Sequence, residues 1–185
     1  MTTATAVPRS APPRLHPLWH GLTVLARLGV GLTFAYLAVM KLRDPIEFLK
    51  QIHLYNLAPT EPALLVNLLA VALPWLELLC AAALVVGLGR QGAALLIALM
   101  LLFFTPVILH RALTLYSAPD ASYPSFCAVS FDCGCGTGVV FVCRKLAENC
   151  ALFVAAVYLI FARSRWLSLA ALGTRSGPAS ARAEH

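Results

Sequence analysis

An all-α bundle of four transmembrane helices is the fold this sequence predicts, and three observations carry that expectation. Hydrophobic residues make up 60% of the chain and charged residues only 12%. The mean hydropathy is +0.80, far from the balance of a soluble domain. Four apolar stretches approach or exceed the about 20 residues that a helix needs to cross a hydrocarbon core of roughly 30 Å. Lipid offers backbone amides no partner, so an apolar chain must satisfy them within helices or a closed barrel.

The first stretch runs from Gly21 to Met40. In the loop after it, Asp44-Pro45 places a proline where a helix can start without losing a hydrogen bond, which predicts a short interfacial helix from Ile46 to Leu54. The second stretch runs from Ala63 to about Gly87 and the third from Gly92 to Leu109. Only the turn Gly87-Leu88-Gly89-Arg90-Gln91 separates them, so these two helices are expected to be antiparallel neighbours. A longer loop from His110 to about Gly138 leads to the fourth stretch, from about Val139 to Ala162. Together these form a transmembrane domain over residues 21–165. Residues 1–20, with Pro8, Pro12, Pro13 and Pro17, and residues 166–185, rich in Ser, Ala, Gly and Arg, lack the apolar content to build a core and are expected to be mobile tails. Ala38-Val39-Met40-Lys41 makes a poor cleavage site, so the first helix is expected to be retained.

An even number of spans puts both tails on one side. That side, with the short turn, collects Arg9, Arg14, Arg90, Arg163, Arg165, Arg175 and Arg182, against Lys41, Arg43, Lys50, Arg111, Arg144 and Lys145 in the two long loops. The slight excess places the tails in the cytoplasm and the loops outside. The formal net charge of +6 arises from these flanks and implies no nucleic-acid partner. The partner the composition does imply is the lipid bilayer.

The cysteines sort by depth. Cys80 lies about 25 Å along the second helix at 1.5 Å per residue, too deep to reach the loops, and Cys150 is similarly far into the fourth; both are expected in the core. Cys127, Cys133, Cys135 and Cys143 share one face of the membrane, where an oxidising space would explain them. Asp132-Cys133-Gly134-Cys135-Gly136 puts two thiols one residue apart, and glycine permits the bend that a bond between them needs. Such a ring is strained, and strain favours donation of oxidising equivalents. Three readings stay open. The pair does redox chemistry; or Cys133 or Cys135 forms a static bridge with Cys127 or Cys143; or two thiolates hold Cu(I). The spacing does not suit zinc, and no metal ligand set is assigned. Lys41, His53 or His110 could lower a thiol pKa by proximity, against the opposing effect of Asp132.

Two ionisable residues fall within the apolar stretches, where each costs roughly 2.5–3.5 kcal/mol on insertion scales. Arg27 and Glu77 are therefore expected to form an interhelical ion pair or, alternatively, a proton relay or quinone contact. Pro74, one turn before Glu77, removes the hydrogen bond to Ala70 and is expected to open a polar niche.

Four segments occur in order: Lys41-Leu42-Arg43-Asp44-Pro45, Tyr55-Asn56-Leu57-Ala58-Pro59, Leu73-Pro74-Trp75-Leu76-Glu77-Leu78 and Asp132-Cys133-Gly134-Cys135-Gly136. With them the chain resembles the MauE branch of the DoxX-like membrane proteins, from about Arg27 to Arg144. Its family-motif residues are Lys41, Asp44, Pro45, Tyr55, Pro59, Pro74, Glu77, Asp132 and Gly134. The resemblance implies a four-helix protein of the bacterial inner membrane that supports maturation of an exported, cysteine-rich client. Such a client is the small subunit of periplasmic methylamine dehydrogenase, and a thioredoxin-like protein is the implied partner. Cys133 and Cys135 would then exchange disulfides, with Cys127 as a shuttle and Cys143 within reach. No cofactor is required by the residues; a quinone acceptor follows only from analogy with other four-helix thiol oxidases. A non-enzymatic scaffold and a Cu(I)-handling protein are the alternatives.

Overall fold

A computed structural model describes residues 17–54, 63–119, 122–134 and 138–162. Tyr55, Pro59, Cys135 and residues 1–16 and 163–185 lie outside the described residues, while residues 17–20, expected in the N-terminal tail, are helical. In chain order the elements are α1 (Pro17–Arg43), α2 (Pro45–Leu54), α3 (Ala63–Val86), α4 (Arg90–Tyr116), a 3-10 turn (Phe126–Ala128), β1 (Ser130–Asp132), β2 (Val139–Phe141) and α5 (Val142–Phe161). Among the described residues, α1, α3 and α4 are long and apolar enough to cross a membrane. The shorter α5 packs against α4 and α1 as the fourth long helix of the bundle. Large apolar side chains cover the outside, among them Leu25, Leu68, Leu79 and Leu102, which suits contact with lipid tails. The protein is a multi-pass helical membrane protein.

At the turn end the helices close tightly. Gly87 and Gly89 both have positive φ, a conformation open to glycine without the Cβ penalty. The amides of Gly87 and Leu88 both donate to the Ala83 carbonyl and end α3. Gln91 Nε2 donates to the Ile160 carbonyl at 2.9 Å, and the Arg90 guanidinium donates to that of Ala162, which ties the start of α4 to the end of α5. Below them Val30, Ala81, Leu84, Ala94, Ile97, Ala156 and Leu159 form one buried core, joined by Cys80 as expected. Gly31 sets the approach of α1 to α3, since a Cβ there would lie 2.8 Å from Val85 Cγ2 and 3.3 Å from the Ala81 carbonyl oxygen.

α2 begins as the sequence indicates. Asp44 Oδ1 accepts the Glu47 amide proton at 3.1 Å, which satisfies one of the amides a helix start leaves open.

Two further helix boundaries and the exposure of one cysteine depart from expectation. α4 continues to Tyr116, well past Leu109, because its last two turns have an apolar side: Ile108 and Ala112 are buried beneath the strands. Thr114 and Ser117 return their hydroxyls to the carbonyls of His110 and Leu113. The segment from Val139 to Phe141, expected as helix, is a strand, and α5 starts at Val142. Cys150, expected in the core, is exposed; Asn149 and Ala156 on the same helix face inward instead.

The loop expected between the third and fourth long helices is a folded cap. β1 and β2 pair antiparallel with Phe131 opposite Val140. The Val142 amide donates to the Val129 carbonyl, and Val129, Cys133, Val142, Ile108 and Ala112 form a second, smaller core.

Candidate functional site

The cap fixes the first cysteine of the pair. Cys133 is only 6% exposed and packs among the residues of this second core. Beyond it the chain turns at Gly134, whose φ is +70°, and the Gly134 amide donates to Asp132 Oδ1 at 2.9 Å. Asp132 thus spends one carboxylate oxygen on the backbone bend. A Cβ on Gly134 would lie 3.0 Å from Gln51 Cβ, with the Phe48 ring close behind. The short helix α2 is therefore the seat on which the cysteine turn rests.

Cys127 and Cys143 form a disulfide with each other. This corrects the expectation of static bridges from either of them to Cys133 or Cys135. The reason lies in the strands: pairing of β1 with β2 brings the 3-10 turn and the first turn of α5 together, with Cα atoms 5.0 Å apart, inside the range for a disulfide. Cys127 is thereby a clamp on the cap in this structure, where a shuttle had been expected.

Beneath Cys133 and Gly134 lies a cavity of about 410 Å³ among α1, α2, α3, α4 and α5, walled mostly by apolar side chains such as Phe34, Leu73, Leu101 and Phe104. Five polar side chains, Lys41, Gln51, Glu77, Lys145 and Asn149, interrupt this wall. Lys41 Nζ lies 2.5 Å from Glu77 Oε1, and both residues are more than nine-tenths buried. The same ammonium stands 5.2 Å from the centre of the Phe48 ring, a cation–π distance.

This pair replaces the expected one between Arg27 and Glu77. Gly31 meets Ala81 to Val85 across the α1–α3 interface. In antiparallel helices that register sets Glu77 level with Leu37, about 15 Å along α1 from Arg27 and only about one turn from Lys41. Arg27 is buried lower in the bundle. Pro74, fully buried within α3, sits one turn from Glu77, as the niche requires. Asn149 Nδ2 donates to Thr105 Oγ1 at 3.3 Å, and Lys145 Nζ lies 3.9 Å from Glu148 Oε2.

A second cavity of about 250 Å³ adjoins the cysteine turn at Asp132 and Gly134 and is more polar, lined also by Arg43, Asp44 and Glu47. Lys41, Phe48, Gln51 and Gly134 line both cavities. Gly134 of the cysteine turn thus borders both the polar pocket and the apolar chamber, while Cys133 borders the chamber. His53 and His110 line neither; His53 is exposed with Nδ1 on the Leu49 carbonyl.

Sequence reasoning missed Lys145 and Asn149 as chamber residues. Their spacing held the signal: Val142, Lys145, Asn149, Leu152, Ala156 and Leu159 alternate three and four apart, the stripe of a helix that packs on others. Two polar residues in an inward stripe mark a cavity or a buried network.

Fold and cap together define a class, a helical membrane protein with a bridged, cysteine-bearing cap over a chamber between its helices. Residues 20–162 match the family model described as methylamine utilisation protein MauE, and the chain belongs to that family. Neither the curated proteins nor the solved structures compared with it gave a match.

Proposed function

We propose that this methylamine-utilisation-associated membrane protein is a thiol–disulfide exchange factor for maturation of an exported, cysteine-rich client, with Cys133 and Cys135 as the exchanging pair. The observation that carries the reading is the position of Cys133 on the apolar chamber, next to Gly134, which lines both the chamber and a more polar pocket, on a turn that Asp132, Gly134 and α2 hold in one shape. Isolated structural cysteines have no need of such a setting.

In the forward direction a thiolate of the client, or of a thioredoxin-like carrier, attacks one sulfur of the oxidised pair. The mixed disulfide then resolves by a second client thiolate, so the client gains a disulfide and the pair becomes a dithiol. The polar pocket beside the turn, with Lys41, Arg43, Asp44 and Glu47, suits the docking of an approaching polypeptide. The Cys127–Cys143 bridge supports an oxidising location for the cap, hence tails in the cytoplasm and the cap in the periplasm of the inner membrane. The dehydrogenase small subunit is the client that the family name favours.

The test is a Cys133→Ser/Cys135→Ser double replacement in cells that carry the client. Client thiols are trapped with an alkylating reagent and counted by mass. The expected result is a client with unpaired thiols and an unchanged level of the membrane protein. A fully bridged client in that strain would end the exchange reading and leave a scaffold.

A further inference from the structure

We propose that the chamber beneath Cys133 binds a lipid-dissolved quinone, and that this quinone takes the electrons of the Cys133–Cys135 dithiol. The inference rests on the exchange reading above and names the acceptor for that same site.

Three observations point to the ligand. The chamber, at about 410 Å³, has the size of a small-molecule site, and its wall is apolar apart from a few converging polar groups. Glu77 Oε2 is buried and accepts no hydrogen bond from any described residue, although Oε1 of the same carboxylate is held by Lys41. A carboxylate oxygen left dry without a donor is costly, and a hydroxyl supplied by a ligand removes that cost. Leu69, Leu96, Leu99 and Phe103 line the chamber and are also exposed on the outside of the bundle. The chamber therefore reaches the lipid-facing side between α3 and α4, which pack on each other much less than α1 on α3 or α4 on α5.

A ligand that satisfies all three is apolar, arrives from the bilayer, and carries one oxygen that bonds to an ammonium and to a carboxylate in turn. A quinone does so: its carbonyl accepts from Lys41, and the hydroxyl of the quinol donates to Glu77 Oε2. The redox balance closes. Two thiols lose two electrons and two protons and join as a disulfide; the ring gains two electrons and two protons, and its two carbonyls become hydroxyls. A phospholipid fills an apolar groove equally well but accepts no electrons.

The experiment uses the full chain in phospholipid nanodiscs with decylubiquinone as probe. The Cys133→Ser/Cys135→Ser form is expected to bind it saturably, near one per protein, as read by a thermal shift. Glu77→Gln is expected to weaken binding of the reduced probe, decylubiquinol, about tenfold or more, because the quinol hydroxyl is the donor to the carboxylate. Leu99→Trp, which fills the lipid-side opening and leaves the polar groups alone, is expected to weaken it too. The prereduced native sequence should consume one quinone per disulfide formed without oxygen. Absence of saturable binding, equal binding by all variants, or a co-purifying phospholipid that decylubiquinone fails to displace would each overturn the proposal. If thiol exchange with a thioredoxin-like protein persists without quinone binding, this inference falls and the exchange reading stands. Quinone binding without thiol exchange supports the site and ends the exchange reading.

Discussion

At the turn end of the bundle, Ala81, Ala94 and Ala156 expose no surface, and a side chain on Gly31 would collide with α3. At the cap end α1, α3 and α5 carry Lys41, Glu77, Lys145 and Asn149 on their inward faces, and the four long helices leave a cavity of about 410 Å³ between them. Small residues let helix axes approach and pack by van der Waals contact, the usual cohesion of helices in lipid. Long polar side chains hold axes apart and must satisfy one another, at a cost that apolar residues would avoid. A chain that keeps four such groups at one end is shaped there for chemistry, while its other end is shaped for cohesion.

The comparison can be broken most forcefully at Lys41. Lys41→Met leaves Glu77 buried without its cation, and loss of one partner of a buried pair costs about 3–5 kcal/mol. The expected outcome is a large drop in folded yield and thermal midpoint in detergent, largely restored by Glu77→Leu in the same chain. Failure of that second change to restore yield would show that the pair is not the coupled unit described. Next in size is removal of the clamp. Cys127→Ser with Cys143→Ser opens a bridge between residues 16 apart, worth about 3 kcal/mol on loop-entropy grounds. Amide exchange should rise in β1 and β2 and stay unchanged in the core around Leu84 and Ile97; a rise throughout would mean that the two ends are not independent.

Two glycines sharpen the contrast. Gly31→Leu overpacks the α1–α3 contact, at a cost of about 1–3 kcal/mol, and should lower the thermal midpoint while thiol reactivity of the cap stays the same. Gly134→Ala forces a side chain into a left-handed turn, at about 1–2 kcal/mol, and against Gln51. It should change the alkylation rate at Cys133 with little effect on the midpoint. The smallest effect belongs to Lys50. Its exposed side chain is hydrogen-bonded to Glu47, which raises its pKa above the usual lysine value. A raised lysine pKa adds stability that is fully present below about 10.5 and lost as pH rises through the folded value. Lys50→Ala should therefore leave the midpoint unchanged within error at neutral pH, since exposed pairs contribute little; a clear loss there would make α2 more than a solvated support.

Much of the bundle could be read from residue order, because the apolar runs and the glycine turn are local signals. The start of α2 at Asp44-Pro45 was equally legible, as were the two glycines of the turn. Partners across the bundle were not. Glu77 was identifiable as a buried charge, yet its choice of Lys41 over Arg27 depends on how far α1 slides along α3, which Gly31 fixes through space. The cap was misread for a related reason: Val139-Val140-Phe141 continues smoothly into the apolar run of α5, and no periodicity separates a three-residue strand from the helix it precedes. Once those residues pair with Ser130 to Asp132, the disulfide pattern follows.

The bridge between Cys127 and Cys143 has a bearing on how the molecule is made. Its two ends flank the segment that carries Cys133, so the cap reaches its clamped form only after an external oxidant has acted on the newly inserted chain. Under the proposed exchange role, the protein is thus itself a client of oxidative folding before it is a participant, and cells that lack a general oxidant should lose both steps in sequence.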